Sequence, residues 1–328
     1  MKLFRILLGV VISAFCLYLS VRQIDFSSLG ESFRQISIFW MLLSIGGILA
    51  SQWFRSVRWA RLLKPVQRAA NLKSFQIYSI GNLANLLIPL RGGDVIRAWI
   101  MANRLSERKS AVMATVVTER LVDLIVFGFL LGLSLWLYPV PQWVAMTGII
   151  LFSGSLSLGI LLTLVKTDLL SLNFMWKPLS LVVPAGFVAK IQDVATGFFE
   201  GVAPLATSKE YLVFVFETIL MWGMQGAFIY LLFHSFGFTK TYDLGINAAL
   251  LMLALTTVAV TVPSSPSYAG TLHLMIVMSL EICGLPATEA FSYAVVSHML
   301  CTVAGIILGI YGLMSEHLKL DTLFFLPK

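Results

Sequence analysis

Six apolar stretches of this chain are each long enough to cross a lipid bilayer, and they constrain its fold more than any other feature. They comprise residues 5–21, 38–57, 111–137, 143–165, 211–235 and 289–313. A helix needs about 20 apolar residues to cross the hydrocarbon core of a bilayer. The chain has 328 residues, of which 58% are apolar and 12% are charged, whereas a water-soluble domain carries about 25% charged residues. We therefore predict an all-α polytopic membrane protein with about six full transmembrane helices, in a single integral membrane domain over residues 1–328.

The apolar pattern breaks for the first time at Pro89, turns over Gly92 and Gly93, and restarts as a helix at Asp94. Proline cannot donate a backbone hydrogen bond, and glycine tolerates the positive φ that a sharp turn needs. Asp94 is suitably placed to cap the second helix. We predict a helical hairpin over residues 74–103.

The distribution of charge indicates on which side this hairpin begins and ends. Residues 51–110 contain eleven basic residues and two acids, and such an excess marks the cytoplasmic side of a membrane. A full crossing at 74–88 would carry Arg104, Arg108 and Lys109 outside, whereas a re-entrant hairpin keeps them inside. Non-helical backbone at membrane depth needs surrounding protein or a polar cavity. We expect a bacterial or archaeal inner-membrane protein with both termini in the cytoplasm, and a cavity at the break.

A second break, from Pro263 to Gly270, separates the apolar residues 245–262 from the short stretch 271–283. It predicts a second re-entrant hairpin over residues 245–283.

The two hairpins belong to an internal repeat. Residues 111–121 align without gaps on residues 290–300, and each block follows a hairpin break at a similar distance. The first hairpin enters from the cytoplasm and the second from outside, which predicts an inverted repeat. Interrupted helices in both halves of an inverted repeat indicate a transporter-like site near the midplane of the membrane. The halves are residues 1–165 and 211–328, joined by a cytoplasmic or interfacial connector at 166–210.

Ionisable side chains at membrane depth are costly unless they have a partner or a wet cavity, so they indicate candidate site residues. The first break offers a binding site for a lipid phosphate, because guanidinium groups match phosphate geometry. The candidate headgroup-binding residues are Arg91, Gly92, Gly93, Asp94, Arg97 and Arg120. The candidate charge network of the cavity comprises Glu119, Asp123 and Glu217.

The second break offers hydroxyl groups, a glycine and a histidine. The candidates there are Ser264, Ser265, Pro266, Gly270 and His273. Histidine titrates near neutral pH, which makes His273 and His298 candidates for proton coupling. Tyr268 can equally be an interfacial anchor.

Structural roles stay open for the same residues. Glu119 and Asp123 can form ion pairs that lock their helix against the hairpin, and Arg97 can reach the cytoplasmic headgroups. A lone histidine is more often a packing residue. The basic residues before the first hairpin, Arg55, Arg58, Arg61 and Lys64, are expected to act as orientation signals.

The sequence offers no catalytic constellation. It has no Walker loop, and its four histidines lack metal-ligand spacing. The serines of the second break have no arrangement that resembles a nucleophile elbow. We expect no metal and no cofactor, and a transporter rather than an enzyme.

The motifs of both breaks and of the helix between them resemble a known family. They are Pro89–Arg97, Glu119–Asp123, Pro263–Pro266 and Gly270–Thr271. In this order they are similar to the flippase-like family related to the transmembrane region of lysylphosphatidylglycerol synthases. The resemblance implies a helical membrane domain with two re-entrant elements that translocates lipids with polar or charged headgroups.

Three functions therefore stand as hypotheses. The first is a lipid translocase for an anionic or polar headgroup, such as a phospholipid or a polyprenyl-phosphate-linked glycolipid. The second is a membrane-embedded transferase that acts on a lipid phosphate, with Glu119 or Asp123 as the base. The third is a non-catalytic partner of a glycosyltransferase or a lipid-modifying synthase. A nucleic-acid partner is not expected, because the basic residues set membrane orientation.

Overall fold

The computed structural model describes residues 2–22, 24–64, 70–88, 91–137, 208–261 and 265–323, with scattered positions between 140 and 157. Every regular element in these ranges is an α-helix or a short 3-10 turn, which confirms the all-α prediction for this part of the chain. The predicted span at 143–165 lies mostly outside the described residues. The predicted connector lies outside them up to Ser208, where a helix begins.

The described helices fall into two groups along the chain. The first group comprises α1 (Lys2–Val21), α2 (Phe26–Arg34), α3 (Ile38–Leu63), α4 (Asn71–Leu87), α5 (Gly92–Leu105) and α6 (Lys109–Leu137). The second comprises α7 (Ser208–Ser235), α8 (Phe238–Thr241), α9 (Ile246–Thr261), the 3-10 turn Pro266–Tyr268, α10 (Thr271–Ile282), α11 (Ala287–Ser315) and a 3-10 turn at Leu320–Leu323. In each group, two short helices flank a break and a helix of 29 residues follows.

Three of the described helices have the length and apolar composition of membrane spans, namely α3, α7 and α11. Shorter apolar helices lie at Val11–Val21, within α1, and at Ile246–Val260, within α9. Helix α6 is as long as α11, but it carries Glu119, Arg120 and Asp123 inside its apolar sequence. Its charged residues are accommodated by contacts within the protein.

Local sequence determines where the helices around the first break begin and end. Helix α4 ends at Leu87, and Ile88 is extended, with φ −112° and ψ 125°. A residue that precedes proline is disfavoured in the helical region, so Pro89 stops the helix. The short helix α2 begins after Asp25, whose carboxylate accepts a 2.9 Å hydrogen bond from the Ser27 amide. Such a side-chain cap satisfies a free amide of the first turn.

Helices α3 and α7 pack against each other along their length and run antiparallel. The Ser37 amide donates to the Ser235 carbonyl at 2.8 Å, whereas Ser51, further along α3, hydrogen-bonds Gln225, earlier on α7, at 3.3 Å. Near the middle, a methyl group on Gly47 would lie 2.9 Å from the Phe228 backbone nitrogen. Glycine at this position lets the two backbones approach closely.

Helix α11 packs against α4, also antiparallel, through a stripe of glycines. Gly305 faces Leu86 near the end of α4, and Gly312 faces Gln76 near its start. Beyond the stripe, Glu316 accepts hydrogen bonds from Lys73 and Arg104. Small residues at such an interface let the backbones of the two helices approach closely.

Helices of the first group pack against helices of the second group. Helix α4 of the first group packs on α11 of the second, and α9 of the second group packs on α6 of the first. Helix α1 packs on α10, so the N-terminal helix also contacts the second break. The core is therefore continuous between the two described groups.

The glycine stripe gives a stability test. Gly312→Ala places a methyl group 2.5 Å from the Gln76 carbonyl oxygen, whereas a methyl group on Gly223 of α7 meets nothing within 4 Å. Because both positions lie inside helices, both variants gain the same helix propensity, and only Gly312→Ala is overpacked. We expect Gly312→Ala to destabilise the protein by about 1–3 kcal/mol. Thermal unfolding in detergent should show a lower midpoint for Gly312→Ala and no loss for Gly223→Ala; equal midpoints would contradict this packing.

Candidate functional site

The first helix break is held together by its own hairpin. Arg91 adopts a left-handed backbone with φ 56°, and α5 begins at the next residue, Gly92. The Gly93 amide donates a 2.8 Å hydrogen bond to the Asn85 side chain, and Gly93 lies so close to the Gly81 carbonyl that no side chain fits between them. In this conformation the Gly93 amide, a candidate for headgroup binding, therefore has a partner within the protein.

Asp94 has a different role from the one expected. The prediction that it caps α5 is wrong, because Arg91 occupies the cap position and no side chain caps the helix there. Asp94 instead lies in the first turn, where its Oδ1 atom accepts hydrogen bonds from Arg97 at 3.2 Å and Arg120 at 3.1 Å. The position still favours a negative charge, because the helix N-terminus carries partial positive charge.

Six charged side chains from three helices form one ion network. Its members are Arg58 of α3, Asp94 and Arg97 of α5, and Glu119, Arg120 and Asp123 of α6. Arg58 contacts Asp123 at 2.7 Å, and Arg97 contacts Glu119 at 2.9 Å. Arg120 lies 3.1 Å from Asp94 and 3.4 Å from Asp123. Three guanidinium groups face three carboxylates, so the formal charges of the network cancel.

The ion network has a dry base and an exposed rim. The side chains of Arg58 and Glu119 are 0% exposed, and that of Arg97 is 1% exposed. At the rim, Asp123 is 12% exposed, Asp94 14% and Arg120 25%. Charges in a low-dielectric interior interact strongly, so the base holds α3, α5 and α6 together, while the rim side chains are partly exposed.

Aromatic rings enclose the base of the network. The guanidinium carbon of Arg97 lies 4.7 Å from the ring centre of Trp59 and 4.5 Å from that of Tyr78. Trp59 is itself fixed by a 3.0 Å hydrogen bond from its indole nitrogen to Thr115. Cation–π contacts of this kind stabilise a desolvated guanidinium group. Arg97, a candidate for headgroup binding, is thus enclosed by protein.

Arg58 belongs to the ion network, although the sequence predicts only a role in membrane orientation for it. Its side chain is fully buried against Asp123 and Glu119, five residues before the end of α3. Charge counting offers no signal for it, because the three candidate arginines of the first break and of α6 already equal the nearby carboxylates in number.

Glu217 belongs to a second ion cluster. It accepts hydrogen bonds from Arg61 at 2.8 Å and 2.5 Å, and Arg61 also contacts Glu210 at 2.5 Å. Lys64 contacts Glu210 at 2.9 Å. These pairs join the end of α3 to the start of α7 and do not include Glu119 or Asp123.

The second break is a strained turn anchored to neighbouring helices. Ser267 and Tyr268 both adopt left-handed backbones, with φ 60° and 59°. The Ser267 side chain lies 3.0 Å from Nε2 of His298 and 3.2 Å from the Thr302 hydroxyl, both on α11. The Ser265 amide donates a 2.8 Å hydrogen bond to the Ser13 hydroxyl of α1. Pro266 opens the turn, and Ser264 lies outside the described residues.

The two candidate histidines lie next to each other behind this turn. His273 and His298 have ring centres 4.9 Å apart in an edge-to-face arrangement. The Gly270 amide donates a long hydrogen bond, 3.4 Å, to Nδ1 of His273. Gly270 has φ 88° and contacts the Ser13 backbone so closely that only glycine fits.

The two breaks meet in the fold. Helix α4 packs against the 3-10 turn of the second break. The side chain of Tyr268 is thereby next to Arg91, Asp94 and Arg120, with which it interacts electrostatically. Tyr268 therefore adds a hydroxyl to the rim of the ion network.

Several buried guanidinium nitrogens of the ion network and of Arg91 lack an acceptor in the part of the chain that the structure describes. They are Nε of Arg91, Nε of Arg120, Nη1 of Arg97, and Nε and Nη1 of Arg58. Arg91 also makes no ion pair with any described carboxylate. Buried donors are normally satisfied by protein, water or a ligand. The rim is thus suited to an oxyanion such as a phosphate.

The described residues contain no group of three or more histidine, cysteine, aspartate or glutamate side chains that could hold a metal ion. No disulfide bond joins any of the described cysteines Cys16, Cys283 and Cys301.

Comparison with known families gives one match. The family model of the lysylphosphatidylglycerol synthase TM region matches residues 6–309, which is most of the chain. Neither a curated protein nor a solved structure matches it.

The ion network predicts a large and specific stability effect. Arg58→Ala leaves Asp123 and Glu119 with an uncompensated negative charge in a buried site, which costs about 3–5 kcal/mol. Lys64→Ala removes a cation whose side chain is 40% exposed, and it should cost less than about 1 kcal/mol. Unfolding in mixed micelles measures both free energies. The double variant Arg58→Met with Asp123→Asn should recover part of the loss; equal losses for Arg58→Ala and Lys64→Ala would contradict the buried network.

Proposed function

Because the chain belongs to the family of the lysylphosphatidylglycerol synthase transmembrane region, we propose that it moves a lipid with an anionic or polar headgroup across the inner membrane. The protein is an integral membrane protein of a family related to lipid-modifying or lipid-associated function. The proposed substrates are a phospholipid and a polyprenyl-phosphate-linked glycolipid. Their acyl or prenyl chains stay in the bilayer while the headgroup crosses.

The observation that carries this proposal is the pair of unsatisfied guanidinium nitrogens nearest the second break, Nε of Arg91 and Nε of Arg120. The ion network is neutral, so Arg91 adds one positive charge beside the Tyr268 hydroxyl and the rim. A phosphate there would accept from Nε of Arg91 and Nε of Arg120. Hydrogen bonds to a charged acceptor are about twice as strong as neutral ones.

A neutral network with one additional cation also suits release. Three arginines without their carboxylates would bind a phosphate too strongly for a transporter, because charges interact strongly in a low-dielectric site. Each of the three is instead paired with a carboxylate. Asp94 and Asp123 at the rim weaken the attraction that a passing phosphate meets.

The directions of the helices support an inverted repeat. Helices α3 and α7 precede the two hairpins and run antiparallel. Equivalent helices that run in opposite directions are expected of an inverted repeat, in which both hairpins re-enter from opposite sides.

We further propose that both termini are cytoplasmic and that translocation needs no cofactor. Energy would come from the lipid gradient or from protonation of His273 or His298. A lipid-modifying synthase or a glycosyltransferase is a suitable partner, because it would supply or consume the lipid. A product formed by the purified protein would instead favour a transferase.

The role of Arg91 is tested by headgroup translocation. Arg91→Gln should slow translocation of fluorescent phosphatidylglycerol in reconstituted vesicles roughly tenfold or more, since a hydrogen bond to a charged group contributes about 1.5–3 kcal/mol. Arg91→Lys should retain part of the rate, because it keeps the charge. Arg34→Gln, at the exposed end of α2, serves as the control. If Arg91→Gln folds and translocates at the normal rate, the arginine site is wrong.

The topology is tested by labelling single cysteines in a background without the three native thiols. Cysteines at Lys64 and Ser106 flank the first hairpin, and cysteines at Asp243 and Pro286 flank the second. In intact cells an impermeant maleimide should label positions 243 and 286, and it should label positions 64 and 106 only after lysis. Labelling of 64 and 106 from opposite sides would exclude a re-entrant first hairpin.

A further inference from the structure

We propose that His273 is a proton-binding site that controls the second break and thereby couples proton movement to the lipid site. The inference rests on the proposed translocation and adds its energy source. The hydrogen bonds of the two histidines indicate that Nε2 of His298 carries a hydrogen and that Nδ1 of His273 does not.

His298 acts as a donor to the strained turn. Its Nε2 atom lies 2.8 Å from the carbonyl oxygen of Ser267. A carbonyl oxygen only accepts hydrogen bonds, so Nε2 of His298 carries a hydrogen. Together with Thr302, this contact holds Ser267 in its left-handed conformation. His298 is therefore a positioning residue of the turn.

His273 acts as an acceptor at the start of α10. The Gly270 amide can only donate, so Nδ1 of His273 carries no hydrogen and its imidazole is neutral. A proton that binds at Nδ1 would replace this hydrogen bond. The bond is long at 3.4 Å, so its loss opposes the proton only weakly.

The surroundings of His273 make a bound proton disruptive. Its nearest titratable neighbour is His298, at 4.9 Å between ring centres, and Phe291 of α11 packs against the same ring at 5.9 Å. The neighbouring elements contribute the thiols of Cys16 on α1 and Cys301 on α11, and the phenol of Tyr268. No described carboxylate contacts the pair. A positive charge there has no counter-ion and loosens the packing.

The effect reaches the lipid site through three residues. Proton uptake would free the amide of Gly270, a residue whose Cα side packs against the Ser13 backbone at the end of the strained turn. The turn contains Tyr268, whose side chain is next to Arg91, Asp94 and Arg120. A change in the turn therefore moves a hydroxyl group at the rim of the ion network. Binding of a proton and binding of a headgroup would then affect each other reciprocally.

The experiment uses two substitutions that mimic neutral histidine. Asn places an oxygen close to the position of Nδ1, so His273→Asn keeps an acceptor for Gly270 but cannot titrate. Gln places an amide nitrogen close to Nε2, so His298→Gln keeps the donor to Ser267. His317→Asn, at the exposed end after α11, is the matched control.

Translocation of fluorescent phosphatidylglycerol is measured in vesicles of phosphatidylethanolamine and phosphatidylglycerol, with a trapped pH-sensitive dye. Because burial without a contacting carboxylate disfavours the charged imidazole, the response should lie below the range where histidine normally titrates. Between about pH 4 and about pH 6 the wild-type rate should change roughly threefold or more, with proton movement reported by the dye. His298→Gln and His317→Asn should keep this dependence. His273→Asn should translocate at a rate that no longer depends on pH and move no protons.

Hydrogen exchange of the peptide over residues 265–273 gives a readout independent of transport. At low pH, hydrogen exchange should be faster in the wild type than in His273→Asn. At high pH, the two proteins should exchange at equal rates. A pH dependence that persists in His273→Asn, or its absence from the wild type, overturns the proton site while translocation itself stands. Absence of translocation at every pH overturns the proposed function and this inference together.

Discussion

A guanidinium group buried in a membrane protein needs a carboxylate partner, and this requirement organises α3, α5 and α6. Arg58 and Arg97 are completely enclosed, and each meets a carboxylate of α6 at hydrogen-bond distance. Buried ion pairs rarely stabilise a fold more than apolar residues of similar size would. Six charges in one network are therefore better explained by the polar site that they support than by stability.

The same network explains why the hairpin can break where it does. Backbone that leaves the helix at membrane depth must find partners inside the protein. Asn85 satisfies the Gly93 amide, and the carbonyl of Arg91 accepts from the Asp94 amide at 3.1 Å. The charged side chains next to these groups maintain a polar surrounding for the break. The break and the ion network thus depend on each other.

The sequence predicts well what a single helix or turn determines, and poorly what two distant elements determine together. The proline and glycine residues predict where both breaks lie. The helical spacing of the charged residues predicts which of them lie close together on α6. Arg58 was assigned to orientation because nothing near it in sequence shows that α3 faces α6. The partners of the Gly93 amide and of Tyr268 cannot be predicted for a similar reason, since the contact with Asn85 and the meeting of the two breaks depend on packing.

Both breaks contain left-handed residues, but their side chains differ. Arg91 and Tyr268 both adopt left-handed conformations and lie next to each other where the breaks meet. The positive charge lies with the first hairpin and the titratable pair with the second. In the proposed translocation, a headgroup that moves past both breaks would therefore meet a cation at the first break and a titratable pair at the second.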